Sequence, residues 1–204
     1  MKIIEPTVEL IDDIDGAQIL RKLERCGKVS RQSKLGDAES FVRSIIQRGH
    51  ESVLEHVSLT FHIVCDRAIM AELTRHRHAS FTVESTRYVK YAELTVVNPW
   101  LLFQGGLMPF RSSLDWFSFM QAAENMYRAL IAQGVTPEIA RAVLPLCLAT
   151  ELYMTANLRE LRHILKLRTD KAAHPQMRFV ARQILNILRE KLPVIVEDIT
   201  EETT

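Results

Sequence analysis

Cysteine is scarce in this chain. Cys26, Cys65 and Cys147 are the only three among 204 residues, odd in number and widely spaced. That pattern argues against a disulfide scaffold and a cysteine-based zinc site, and it fits a reducing compartment. Long apolar runs are lacking too: no stretch reaches about eighteen residues, so no membrane span is expected. The opening "MKIIEPTVELIDDID" places acidic residues where a secretory signal needs an apolar segment. The expectation is a cytoplasmic protein with no membrane partner. A basic excess is also missing. The formal net charge is +1, which gives no reason to expect nucleic acid as a partner. Neither a Walker-type loop nor G-x-G-x-x-G occurs, so any phosphate has to be gripped by side chains rather than by a glycine cradle.

What is present reads as a globular chain, 47% hydrophobic and 25% charged, with no internal repeat or low-complexity linker. We expect a single domain over residues 1–204. Residues 2–11 read as a strand with Pro6 near an edge, and 16–26 and 38–48 as amphipathic helices. The capping pattern Ser52–Glu55 starts a short helical turn. Residues 57–65 then alternate as a half-buried strand, 67–75 turn helical, and 88–97 return as a strand. The apolar loop around Trp100–Phe110 suggests a subunit contact. Ser112 or Ser113 can cap a long helix ending near Gly134, and Pro137 opens another. The segment "LCLATELYMT" fits strand or helix equally. Asn157 can cap a helix through Lys166, with Leu158, Leu161 and Leu165 on one face and Arg159 and His163 on the other. A last helix spans 175–191. Strands early and helices late predict an α+β fold, a mixed or antiparallel sheet packed with helices.

The densest polar stretch is "TRHRHASFTVESTRY", where Arg75, His76, Arg77, His78 and Arg87 are interleaved with Glu84, Ser85 and other hydrogen-bonding residues. A solvated helix end would account for a short basic run. Here the run continues into hydroxyls rather than lysines, and a second set, Arg141, Arg159, His163 and Arg168, falls on segments that read as buried. Buried arginine needs an anion, and the guanidinium fork matches phosphate. Five histidines between His50 and His78 raise the question of a metal. The pair in "HESVLEH" is six residues apart, which on a helix separates the two by roughly 240°. No metal is expected on that spacing. Ser85 lies near His76 and His78 but lacks a G-x-S-x-G elbow, so it reads as a donor to phosphate rather than a nucleophile. The residues alone leave open an enzyme, a non-catalytic nucleotide binder and a metal-dependent phosphohydrolase.

"RHRHASFTVES", continuing into "TRY", resembles the signature of the flavin-dependent thymidylate synthases. "HESVLEHVSLTF", "RAVLP" and "TANLRELRHILKLRTD" agree in order, so the resemblance covers about residues 45 to 180. It implies a homotetramer with active sites shared between chains. It also implies FAD as cofactor, NADPH as hydride donor and methylenetetrahydrofolate as one-carbon donor for converting dUMP to dTMP. By this resemblance Arg75, His76 and Arg77 contact FAD, with Ser58 nearby, and Asn157, Arg159 and His163 form the second flavin segment. Glu72, Arg75, Glu84, Ser85, Thr86, Arg87 and Arg141 then lie at the nucleotide. Arg168 activates the uracil ring, and His56 supports flavin and folate. Hydride delivery builds negative charge on the uracil carbonyls, which a fixed guanidinium stabilises as oxyanion-hole donors do. A flavin carries the redox chemistry, so no cysteine nucleophile is required. Two departures stand out: Val83 occupies a position that relatives often fill with Glu or Gln, and "TDKAAHPQMR" follows Arg168 where many have a His-Ala-Gln order.

Overall fold

The computed structural model describes the backbone of residues 1–99 and 110–200, and the side chains in those ranges except 31 and 110–114. Six strands are present among them: β1 (Lys2–Ile4), β2 (Thr7–Leu10), β3 (Ser58–Asp66), β4 (Ala79–Val83), β5 (Thr95–Val97) and β6 (Ala149–Asn157). Eight α-helices accompany them: α1 (Gly16–Lys28), α2 (Ala38–Gln47), α3 (Arg67–Leu73), α4 (Phe110–Ala132), α5 (Pro137–Ala140), α6 (Leu158–Arg168), α7 (Pro175–Lys191) and α8 (Pro193–Val196). β2, β3, β6 and β4 form an antiparallel sheet in that order, and β1 pairs in parallel with β5. The fold is α+β.

Short polar side chains set where the helices begin. Asp15 accepts from the Gln18 amide at 3.1 Å, Asp37 from Glu39 at 3.0 Å, Asp66 from Ile69 at 2.7 Å and Asn157 from Glu160 at 2.9 Å. Each satisfies an amide that the first helical turn leaves without an intrahelical partner. Pro6 ends the first strand early, because it has no amide to donate, and the predicted strand 2–11 becomes β1 and β2 in different sheets. The ambiguous segment after Pro145 resolves as β6, whose side chains alternate between buried and more exposed positions along its length.

Two expectations are corrected. The strand placed over 88–97 is formed only at Thr95–Val97, while Ala79–Val83, to which the sequence reading gave no element, is a strand. Its alternation of exposed Ser80 and Thr82 with half-buried Phe81 and Val83 is the period-two signal that the neighbouring basic motif obscured. The long helix starts at Phe110, so Ser112 and Ser113 lie within it and do not precede it. The apolar loop around Trp100–Phe110 falls almost wholly outside the described residues.

The chain divides into two compact units. The first comprises Met1–Thr7, Val64–Arg75 and Thr82–Leu152. Its core gathers Leu94, Tyr127, Ala140 and Leu148, flanked by Tyr91, Leu130 and Val135. The second comprises Val8–Ile63, His76–Phe81 and Tyr153–Thr204. There α6 packs on α7, α1 on α2, and α8 on α2, α6 and α7, burying Leu23, Val42, Leu161, Leu165, Val180, Ile184 and Leu188.

One charged group is sunk into this second core. Arg162 is 1% exposed, and its guanidinium meets Asp198 at 2.7 Å, Glu51 at 3.0 Å and the carbonyl of Ile195. Hydrogen bonds from Arg162 hold the Asp198 carboxyl down at about 2, with burial opposing and Lys166 assisting. A carboxyl depressed in the folded state contributes stability above its ordinary value near 3.9 and loses it as pH falls towards 2. Asp198→Asn is therefore expected to flatten the acid limb of thermal stability between about pH 4 and 2. An unchanged acid limb in melts across that window would remove Asp198 as its source.

Candidate functional site

In the second unit, three of the residues that the resemblance ties to a flavin, Asn157, Arg159 and His163, line one cavity, while Ser58, Arg75, His76 and Arg77 are not among its lining residues. The cavity has a volume of about 630 Å³ and is lined by His78, Asn157, Arg159, His163 and Lys166, with Glu51, Glu55, Glu160 and Arg162. That volume lies in the range of ligand sites, and four cationic or imidazole side chains of the lining, His78, Arg159, His163 and Lys166, are exposed. Asn157 caps α6 and so sits where that helix presents its first amides, a place suited to anions. One turn along α6, Arg159 and His163 share its outward face, four residues apart. The donor set fits the diphosphate of a dinucleotide. Arg159 bonds Glu55 at 2.5 Å, yet both side chains are about half exposed, so an entering phosphate displaces the carboxylate at little cost. His56 ends a 3-10 turn (Glu51–His56) next to the lining residue Glu55, and Ser58 opens β3; both are exposed, and Ser58 lines a different cavity with Asp12, Asp15 and Lys22. The amide of Leu158 donates to the carbonyl of Val57 between them, tying β3 to the start of α6.

Beneath this surface His76 is only 5% exposed. Its Nε2 accepts a hydrogen bond from Nε of Arg168 at 3.1 Å, and its Nδ1 lies 3.5 Å from a carboxylate oxygen of Glu160. The His163 ring stands edge-on, with centroids 6.0 Å apart. Burial, then the Arg168 charge, then His163, push the His76 imidazole down to about 4. It is neutral at physiological pH. The ligand atoms of His76, Glu160 and His163 lie within 4.8 Å of one another, close enough to hold a metal ion. The two readings make opposite demands on the ring. An arginine Nε–H can only donate, so Nε2 of His76 must hold its lone pair and Nδ1 its proton, directed at Glu160. A metal on Nδ1 requires that proton to leave, beside a guanidinium that already repels cations. The hydrogen-bond pattern therefore favours the neutral, proton-bearing Nδ1.

The first unit carries the residues tied to the nucleotide. Arg141 donates to the hydroxyl of buried Thr86 at 3.2 Å, and Arg87 lies 3.5 Å from Glu138, three residues before Arg141. The Ser85 hydroxyl accepts from the Arg87 amide at 3.3 Å, forming a tight turn that exposes Arg87. These contacts bring Ser85, Thr86, Arg87 and Arg141 together. Glu84 turns elsewhere: its carboxylate accepts from the Tyr91 hydroxyl at 2.7 Å, beside a small cavity of about 210 Å³ that also meets Thr150 and Glu151. Burial and Glu84 together raise the Tyr91 phenol well above its ordinary range. Arg67, unremarked in the sequence, bonds both the Thr150 hydroxyl and the Glu84 carbonyl and so fixes this corner. Glu72 is half-buried on α3 and the Arg75 side chain is exposed just beyond it.

The assumption that these guanidinium groups are buried needs correction. Arg75, Arg77, Arg87, Arg141 and Arg159 are exposed in the single chain, and Arg168 is half-buried. The segments that carry several of them are buried, but the stripe facing away from the core bears the charge. Sequence reasoning also missed Glu160, Lys166 and Arg162. The signal for Arg162 was available: it lies four residues after Leu158, on the apolar face of α6. The departure after Arg168 forms an ordered turn, with Asp170 accepting from the Ala172 amide at 2.7 Å and His174 capping α7.

Comparison with known proteins agrees with the motifs. A 171-residue stretch is 37% identical to a probable flavin-dependent thymidylate synthase of Mycobacterium phage D29, covering 79% of this chain and 73% of that one. The flavin-dependent thymidylate synthase of Thermotoga neapolitana is 34% identical over 173 residues, 83% of this chain and 80% of its own. Among solved structures, the UMP/dUMP methylase PolB of Streptomyces cacaoi bound with 5-Br dUMP superposes with a TM-score of 0.81. It is 27% identical, and the match covers 97% of this chain and 96% of that one. The family model described as thymidylate synthase complementing protein matches residues 9–194, and the chain belongs to that family.

Proposed function

We propose that this chain converts dUMP to dTMP by reductive methylation, with methylenetetrahydrofolate giving the carbon and FAD, reduced by NADPH, as reductant. The observation that carries the reading is the convergence of Asn157, Arg159 and His163 with His78, the residue that follows the R-H-R motif, on one cavity, although His78 lies far from the others in sequence. The match of a single family model to residues 9–194, which span both compact units, supports treating them as one functional domain. A homotetramer with shared sites and a cytoplasmic location belong to the same reading.

In this proposal Asn157, Arg159, His163 and the exposed Arg75 and Arg77 hold the dinucleotide, with Ser58 and His56 at its edge. Bound FAD supplies the hydride chemistry. Ser85, Thr86, Arg87 and Arg141 grip the nucleotide phosphate; a charged hydrogen bond contributes on the order of 1.5–3 kcal/mol, so two or three anchor it firmly. Glu72 and Glu84 border the nucleotide, and Glu84 acts through its bond to Tyr91. Arg168 stabilises the charge that develops on the uracil carbonyls.

Purified protein is expected to be yellow, and to bleach when NADPH is added with dUMP present. Protein that is colourless and cannot be reconstituted with FAD would rule the proposal out. Arg77→Ala should weaken FAD retention about tenfold, consistent with loss of one charged contact, and equal flavin affinity in equilibrium titration would reassign its ligand. The resemblance to a protein described as a UMP/dUMP methylase makes UMP the natural second substrate to assay beside dUMP.

A further inference from the structure

Glu160, His76 and Arg168 form a continuous chain of polar contacts: carboxylate to Nδ1 at 3.5 Å, then Nε2 from the guanidinium Nε at 3.1 Å. We propose that His76 is a positioning residue, held as the Nδ1–H tautomer by Glu160, whose Nε2 orients the guanidinium of Arg168 for the uracil ring. This rests on the proposed role of Arg168 and goes beyond it. The motif itself points His76 at the flavin, but its burial and its two partners give it a different task.

The physical argument starts from the arginine side chain, which loses much rotamer freedom when it is fixed. Nε is the only donor set back along the side chain. Capturing it restricts rotation about the end of the side chain and so fixes the plane of the guanidinium. Fixing that plane before a ligand arrives removes the ordering cost from the reaction. A protonated His76 has no lone pair for the Arg168 Nε–H, so the device works only with a neutral ring. Burial keeps the ring neutral, and so does the Arg168 guanidinium beside it. The charged and titratable groups that face it are Glu160, His163 and Arg168, all carried by α6. Glu160 is itself 7% exposed, and its amide is capped by Asn157, so the anchor of the chain is fixed at the first turn of the helix that ends in Arg168. One helix therefore holds both ends of the chain, and His76 bridges them.

The test combines nitrogen NMR on the histidine-labelled wild-type protein with a mutant cycle. We expect His76 to show the Nδ1–H tautomer and to remain neutral at pH 5.5, in keeping with its titration near 4; an Nε2–H ring or a charged ring at that pH overturns the proposal. His76→Leu should lower kcat about 30-fold while FAD affinity changes less than about 3-fold, and His76→Gln, which keeps an acceptor for Nε, should restore most of the loss. In an Arg168→Ala background, His76→Leu should cost nothing further in kcat. Full additivity there, or a loss of FAD affinity in His76→Leu with unchanged kcat of the loaded enzyme, overturns positioning in favour of a direct flavin contact. Full activity in Arg168→Ala alone would instead sink the underlying role of Arg168, so the two failures are distinguishable.

Discussion

Arg168→Ala is expected to reduce dTMP formation by about 10² to 10³-fold with flavin still bound, the cost of deleting one donor that meets charge developing in a transition state. The side chain is half-buried at the end of α6, the last residue of a helix whose first turn is capped by Asn157. A helix C-terminus suits a cation, so Arg168 sits there at little cost to the fold. Its removal should still lower the melting temperature by a few degrees, because Nε2 of the buried His76 loses its donor. The loss should appear in kcat more than in KM, because a contact made mainly in the transition state contributes little to ground-state binding. Single-turnover assays on FAD-loaded protein separate these effects. Wild-type turnover would remove Arg168 from the mechanism.

Arg162→Leu is expected to have the largest effect on stability and little on chemistry. Its guanidinium is buried and bonded to Asp198, Glu51 and the Ile195 carbonyl, which ties α6 to the turn before β3 and to α8. Removing one partner of a buried ion pair costs about 3–5 kcal/mol. Glu51 and Asp198 are partly exposed, at 21% and 41%, and regain water when the pair breaks. The lower end of the range therefore applies, about 3 kcal/mol, or roughly 6–12 °C in melting temperature for a chain of this size. A shift below about 2 °C would show that the network contributes little net stability. Replacing Glu51, Arg162 and Asp198 together by apolar residues should recover part of the loss, since no charge is then left without its partner.

The contrast between these two arginines shows what the sequence discloses and what it conceals. Helices with strong apolar periodicity were legible: residues 16–26, 38–48 and 175–191 correspond to α1, α2 and α7, whose apolar faces meet other helices. The cap at Asn157 was legible because a single side chain determines it. β4 was not, because its alternation lies inside a basic motif whose chemistry invited another reading. The strand expected over 88–97 was overcalled, since β-propensity without a pairing partner does not make a strand. Within the site, the motif named the arginines but not their partners. Glu160 and Arg67 act through tertiary contacts that no local pattern records, the exposure of Arg141 and Arg159 depends on which helix face turns outward, and that of Arg87 on a tight turn. His76 illustrates the limit best: its neighbours in sequence are exposed cations, while its neighbours in space are a carboxylate and the guanidinium of Arg168.

The proposed reaction replaces the C5 hydrogen of dUMP with a methyl group, with reduced flavin as the reductant. Tritium release from C5-labelled dUMP, followed alongside dTMP with FAD, NADPH and methylenetetrahydrofolate each omitted in turn, tests it most directly. Stoichiometric release and dTMP formation in the complete mixture, with dTMP lost on each omission, is the predicted result. Formation of dTMP without flavin, or none at all from FAD-loaded protein in the complete mixture, would contradict it.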